Sequence, residues 1–382
     1  MRASTDRILT THVGSLPRPQ AVCDVLFARE NGPLEDPAAA ARVIAEAVRD
    51  VVRRQVETGV DIVSDGETSK ISYATYIADR LDGFGGDTPR EPGQDLVEFP
   101  RFLAKLAASG ATAKYRRPRC IGRIGIKDAK PLETDLGNFR SAVAAARPAE
   151  AFMNAASPGV LALFQPNDFY PSQDAYLEAL GEAMRAEYEA IVGAGFLLQI
   201  DAPDLGMGRH TLYRHASVED YLDAAARHVE VLNYALRNLP ADRMRMHICW
   251  GNYEGPHHHD VPLERLLPVV IKARPQALLF EAANPRHAHE WTVFQRQKIP
   301  DDKILVPGVL STTTNYVEHP ELVAERVERF AGIVGRERVI AGTDCGFGTF
   351  GGFGPVDPDI VYLKLASLAE GARLASARLW RH

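Results

Sequence analysis

Eight short apolar runs, separated by stretches with helical spacing, constrain this chain more than any other feature of its sequence. The runs are Ile8–Val13, Asp61–Ser64, Phe152–Ala156, Leu197–Asp201, Met244–Cys249, Leu278–Glu281, Ile304–Leu310 and Val339–Thr343. Between them, Ala38–Glu57 is alanine-rich with charged flanks. Asp174–Val192 sets Tyr176, Leu180, Met184, Tyr188 and Ile191 on one helical face, and Val218–Leu236 and Pro320–Val334 repeat that pattern. Pro320 suits a first helical turn, and Gly59, Gly195 and Gly335 stand where helices end. Alternating β and α units predict an α/β fold, a single (β/α)8 TIM barrel. Gly83–Asp135, rich in Gly, Pro and charge, breaks the alternation and holds one strand candidate, Arg119–Ile126. It reads as an insertion after strand two, a hairpin-like segment over the barrel mouth. Ile360–Arg378 predicts a docking C-terminal helix. No linker marks a second domain, so 1–382 reads as one domain with 83–135 inserted in it.

A barrel of this kind opens all its strand C-termini on one face, where active sites form. Residues distant in sequence then converge. Two of only four cysteines stand at strand ends: Cys249, two residues after His247, and Cys345, after the run that closes at Thr343. Glu281 ends a third run. Two thiolates, an imidazole and a carboxylate make a tetrahedral zinc site, so His247, Cys249, Glu281 and Cys345 are the candidate metal ligands. The competing reading makes both cysteines buried barrel residues and gives His247 a backbone carbonyl partner. Asp344 is placed to bond a ligand or a backbone amide. His257-His258-His259 follows Gly255-Pro256 and reads as a solvated loop, and Cys23 and Cys120 read as small buried hydrophobes.

The net charge of −6, with the basic run 116–119 short, argues against a nucleic-acid surface. No apolar run reaches membrane-spanning length, and few cysteines fit a reducing cytoplasm. The expected partners are a small-molecule thiol and an alkyl donor, with no nucleic acid, no membrane, and homo-oligomerisation left open.

Together Val13-Gly14-Ser15, Ser64-Asp65-Gly66-Glu67, Gln199-Ile200-Asp201, His247-Ile248-Cys249, Phe280-Glu281, Pro307-Gly308-Val309 and Thr343-Asp344-Cys345-Gly346 resemble the cobalamin-independent methionine synthase family, in its C-terminal catalytic barrel. The resemblance implies zinc on His247, Cys249, Glu281 and Cys345. It implies Gly14 and Ser15 for a substrate carboxylate, and Glu67 and Asp201 for its amine, with Asp201 also a catalytic candidate. The chain departs from the family pattern at Ala202, where methionine synthase has Glu. It departs again at 310–315, which lacks the histidine expected after Pro-Gly-Val.

Other runs are similar to the epoxyalkane:coenzyme M transferase branch: His247–Gly251, Gly255-Pro256-His257, Pro285–Trp291, Val317–Pro320 and Asp201–Asp204. The leading expectation is thus a zinc-dependent S-alkyltransferase of the 2-hydroxyalkyl-coenzyme M lyase type, a zinc-bound thiolate attacking an alkyl carbon. The alternatives are a methyltetrahydropteroyl-dependent homocysteine S-methyltransferase, a uroporphyrinogen-decarboxylase-like enzyme, and a non-catalytic zinc protein. His12, at the end of the first strand, is either the general acid or a core histidine. Arg18 is the candidate cation for a sulfonate or carboxylate.

Overall fold

The structure, a computed structural model, describes residues 1–89, 91–108 and 115–381. Residues 90 and 109–114, part of the expected insertion, lie outside the described residues. The elements follow in order as β1 (Leu9–Thr10), α1 (Gln20–Asn31), α2 (Pro37–Glu57), β2 (Ile62–Val63), β3 (Leu81–Gly85), α3 (Gln94–Val97), α4 (Pro100–Ala108) and β4 (Arg119–Ile126). Then come α5 (Lys130–Ala146), β5 (Glu150–Ala156), α6 (Pro158–Phe164), α7 (Gln173–Gly193), β6 (Leu197–Asp201), α8 (Val218–Ala235) and β7 (Met244–His247). The chain closes with α9 (Leu263–Val270), β8 (Ala277–Phe280), α10 (Trp291–Arg296), β9 (Ile304–Pro307), α11 (Pro320–Val334), β10 (Ile340–Ala341) and α12 (Pro358–Leu379).

Local chemistry places the helix ends. Asp36, Ser172 and Ser217 accept backbone N–H bonds at the starts of α2, α7 and α8, and Ser217 with Asp220 forms a reciprocal capping box. Gly59, Gly195 and Gly335 leave α2, α7 and α11 with positive φ, the conformation glycine adopts without a Cβ penalty.

The fold is α/β with a curled parallel sheet. Among the described residues, six strands pair in the order β2-β5-β6-β7-β8-β9, and β1 pairs in parallel with β10. Parallel bridges at Thr11–Ile62, Leu305–Val339 and Gly308–Gly342 join the pair to both edges of the six-stranded sheet. The period of two along each strand separates two apolar layers. Leu9, Ile62, Phe152, Leu197, Leu279, Val306 and Ile340 form an inner cluster. Ile8, Val63, Met153, Leu198, Leu278 and Leu305 face the helices. Arg245 is buried inside with the inner cluster. It stacks 3.9 Å from the Phe152 ring and donates to the Thr11 hydroxyl and the His12 carbonyl.

β3 and β4 form a separate antiparallel hairpin with a bulge between Asp82 and Phe84. Among the described residues, no helix is long and apolar enough to cross a membrane.

Candidate metal centre and active site

The strand register fixes the centre of the site. Asp201, the last residue of β6, lies beside His247, the last of β7. Cys249 follows two residues later, and Cys345 stands just beyond β10. One donor atom each from His247, Cys249 and Cys345 lies within 4.8 Å of the others, and all three residues are buried. Burial first, then the nearby Arg245, pulls the His247 imidazole down to about 3, so it is neutral, as a ligand must be. Its Nδ1 is buried with no hydrogen-bond partner. Burial, then Cys249, pushes the Cys345 thiol well up. A dry cluster of two thiols and an unpartnered imidazole nitrogen is costly as it stands and fits a borderline-soft divalent ion such as zinc.

Glu281 stands outside this group of three. Its Oε1 accepts the Trp250 N–H at 2.8 Å, and its Oε2 accepts from the Asn284 amide. Sequence reasoning expected four ligands together; the fold brings three together and holds the carboxylate on hydrogen bonds alongside. Asp344 bonds backbone amides: it accepts the N–H groups of Ala282, Ala283 and Asn284 at 2.8–2.9 Å, tying the loop after β8 to the end of β10. A Cβ on Gly308 would lie 2.3 Å from that carboxylate, so only glycine lets β9 pass.

The three donors line a cavity with Ser15, Glu67, Tyr73 and Asp201. Glu67 follows Gly66 in a turn where both φ angles are positive, 53° and 68°, an uncommon conformation for a glutamate. The Asp65 carboxylate caps the Glu67 N–H at 3.0 Å. Glu67 Oε2 is buried and without a partner. Burial, then the charge of Asp201, raises its carboxyl to about 8. Asp201 accepts from Gln199 Nε2 at 2.8 Å and Asn154 Nδ2 at 2.9 Å, and burial raises it to about 6. Two amides thus aim Asp201. Gln199, two residues before it on the same strand face, carried a sequence signal; Asn154, a lone polar residue in an apolar strand, carried none.

His12, expected as either the general acid or a core histidine, is fully buried with both ring nitrogens bonded. Its Nε2 meets Gln55 Oε1 at 2.7 Å, its Nδ1 accepts the Gly14 N–H, and burial pulls it down to about 4. The same bond occupies the Gly14 N–H, and a Cβ there would strike the Asn154 amide at 2.3 Å. Ser15, by contrast, lines the cavity. Arg18 is bonded to backbone carbonyls. Its Nε and Nη2 donate to the Glu67 carbonyl and its Nη1 to the Gly348 carbonyl, so it clips two loops beneath the carboxylates.

A second, larger cavity lies on the other side of Cys345 and shares Gly251 and Asn252 with the first. Tyr253, His257, Glu281, Arg286 and Thr312–Thr314 line it. Here the solvated-loop reading of 257–259 fails in part. His257 is buried, its Nδ1 at 3.0 Å from Asp260. Asp260 also meets His287 Nε2 at 3.0 Å and His210 Nδ1 at 3.1 Å. Burial alone would depress His287, but its bonds to Asp260 and Glu290 raise it to about 10. Its ring stacks on that of Trp250 at 4.2 Å, the same residue whose N–H holds Glu281. This network escaped sequence reading because its members are scattered over 210–290.

Residues 8–91 and 165–352 match the model of the cobalamin-independent synthase catalytic domain, and the chain belongs to that family. Methionine synthase of Saccharolobus solfataricus is 24% identical over 381 residues, covering 97% of this chain and 96% of the relative. Methionine synthase of Sulfolobus acidocaldarius is 24% identical over 340 residues, 88% of this chain and 85% of its own length. The B12-independent methionine synthase from Shewanella sp. W3-18-1, solved in complex with selenomethionine, superposes with a TM-score of 0.75 at 18% identity. That match covers 98% of this chain and 99% of the other, a likeness of fold.

Proposed function

We propose that this protein is a zinc-dependent homocysteine S-methyltransferase of the cobalamin-independent type, its eight parallel strands closed into one (β/α)8 barrel with 83–135 inserted. One observation carries the reading: the Glu67–Asp201 carboxylate pair and the His247–Cys249–Cys345 donors face the same cavity. Carboxylates with an unpartnered oxygen are made for an ammonium, and soft donors gather around a thiol; a small amino-acid thiol satisfies both. Zinc, when bound, supplies a cation that lets the substrate thiol ionise near neutral pH.

The chain's own residues then set orientation. Glu67 and Asp201 hold the amine, with Asn154 and Gln199 fixing Asp201. Ser15 stands where it can meet the carboxylate. Glu281, held by Trp250 and Asn284, is the fourth candidate ligand. The methyl donor approaches from the larger cavity across Cys345. The thiol gives up its proton, the sulfur–carbon bond forms as the carbon–nitrogen bond of the donor breaks, and the leaving nitrogen takes up a proton from solvent. Thr312–Thr314 stand in the wall where the family pattern has a histidine.

Epoxide opening on coenzyme M has less behind it. Arg18, the expected sulfonate partner, is committed to backbone carbonyls. Asp204, part of the branch-like run, is bonded to His228 and Ser157 within the wall. The relatives named above are methionine synthases.

The deciding experiment is zinc X-ray absorption with homocysteine and with coenzyme M, alongside a mass-spectrometric assay for methionine. The resting site is expected to show two sulfurs at about 2.3 Å. A third on adding homocysteine, with methionine formed from a methylated pterin, supports the reading. A third sulfur with coenzyme M alone overturns it.

A further inference from the structure

We propose that Glu98, His258 and His259 form a second site for a divalent transition-metal ion, at the rim of the mouth and separate from the cysteine-containing centre. One donor atom from each of the three lies within 4.8 Å of the other two. His258 Nε2 is 2.8 Å from Glu98 Oε2, and His259 Nε2 is 2.5 Å from Glu98 Oε1, so the two imidazoles converge on opposite oxygens of one carboxylate. Side chains of consecutive residues ordinarily diverge. Here the chain turns sharply at His257, which has a φ of 52°, and the two rings come to lie 4.1 Å apart, tilted by 39°. Phe99 packs edge-on against His258 and holds that ring from the other side.

The chemistry of the donors selects the ion. Two imidazoles and a carboxylate suit zinc, nickel or copper, not magnesium or calcium, which prefer all-oxygen shells. All three side chains are partly exposed, between 31% and 44%, so an ion can enter from solvent and keep water in its remaining positions. An ion would replace the imidazole protons that now bond Glu98.

Its place in the fold gives it a role. Glu98 lies between α3 and α4, while the histidines lie in the loop after β7 that also carries Gly251 and Asn252, shared by both cavities. Asp95 of α3 already ties these segments, accepting from the Tyr253 hydroxyl at 2.6 Å and from the His257 N–H at 3.1 Å. A metal on Glu98, His258 and His259 is a second tie that clasps segment 93–108 onto the mouth.

Cobalt titration of the full-length, metal-free protein tests this. Two equivalents are expected: one with a thiolate-to-cobalt charge-transfer band, one without. The His258→Ala, His259→Ala double variant should lose the second and keep the first, whose band also reports that it is folded. Cys345→Ser should lose most of the charge-transfer band and keep the second. A single equivalent in the wild type at cobalt up to about 100 µM, or a second equivalent that survives the double variant, overturns the site. Occupation of the second site is also expected to slow proteolysis within 93–108 about 5-fold in the wild type and not in the double variant. Equal cleavage with and without the second equivalent overturns the clasp.

Discussion

Two buried polar clusters sit on opposite sides of the same mouth and handle their charges in opposite ways. Around Asp260, three histidines and Glu290 crowd together with contacts of 2.7–3.1 Å, although His210 Nδ1 and Asp260 Oδ1 make no hydrogen bond. Around Cys345, by contrast, Glu67 Oε2 and His247 Nδ1 are buried with nothing to bond. The first cluster bonds mostly within itself; the second leaves unmatched atoms on residues that line the cavity. Unmet polar groups cost stability, so a fold keeps them where something else will bind. The difference separates scaffold from site more sharply than residue type does, since both clusters are made of histidines and carboxylates.

Substitutions can break that contrast, and the largest effect belongs to the unsatisfied side. Cys345→Ser is expected to remove most bound zinc and lower turnover by about 1,000-fold or more, ~4 kcal/mol of barrier, with little change in the melting of the metal-free protein. Metal analysis and methionine assays read this, and full zinc with full turnover would discard the metal centre. Asp260→Asn should do the reverse. It leaves His287, raised to about 10, facing a neutral amide and is expected to cost about 3 kcal/mol in denaturant unfolding while cysteine-bound zinc stays. An unchanged midpoint would mean that the satisfied cluster is not scaffold.

The carboxylate pair sharpens the comparison through pH. An ordinary carboxyl loses its proton near pH 4, whereas Asp201 and Glu67 are raised to about 6 and about 8 in the fold. Across that interval the folded state holds more protons than the unfolded, so the stability of the ligand-free protein falls as pH rises. Methionine binding should strengthen over the same pH 6 to 8 range, as the pair becomes able to hold an ammonium. Glu67→Gln is expected to weaken methionine binding by roughly 10- to 100-fold, the worth of a charged hydrogen bond, and to flatten the upper part of both slopes. Calorimetric titration and thermal melts across pH would show it; pH-independent methionine affinity in the wild type would count against the amine site.

The smallest effect is at Arg18. Arg18→Lys loses the fork to two carbonyls and should cost about 1 kcal/mol in stability, with no change in preference between homocysteine and coenzyme M. A swing in that preference would return Arg18 to the substrate pocket.

How legible this was in the sequence follows from range. The strand that ends at Asp201 and the helix from Pro320 to Val334 stand where periodicity put them, and the strands expected to end at Cys249 and Glu281 stop one or two residues earlier, because patterning and capping act over a few residues. His247, Cys249 and Cys345 could be grouped in advance because parallel strands share one open end. β3 was not legible, since Leu81–Gly85 becomes a strand only against Arg119–Ile126. Nor could sequence tell His12 from His247: both stand near strand ends beside apolar residues, yet Gln55 and Gly14 occupy the ring of the first and no hydrogen-bond partner meets Nδ1 of the second.

By itself, then, the sequence determined the alternation of elements, the donor types at the strand ends, and so the kind of chemistry available. Only the tertiary structure decided which polar atoms were already bonded. It committed Arg18 to carbonyls, held Glu281 outside the group of three donors, gathered His210, His257 and His287 around Asp260, and left Glu67 and His247 unmatched. Hydrogen bonds between distant segments depend on positions set by the whole fold, and those positions cannot be read from the identity of any residue alone.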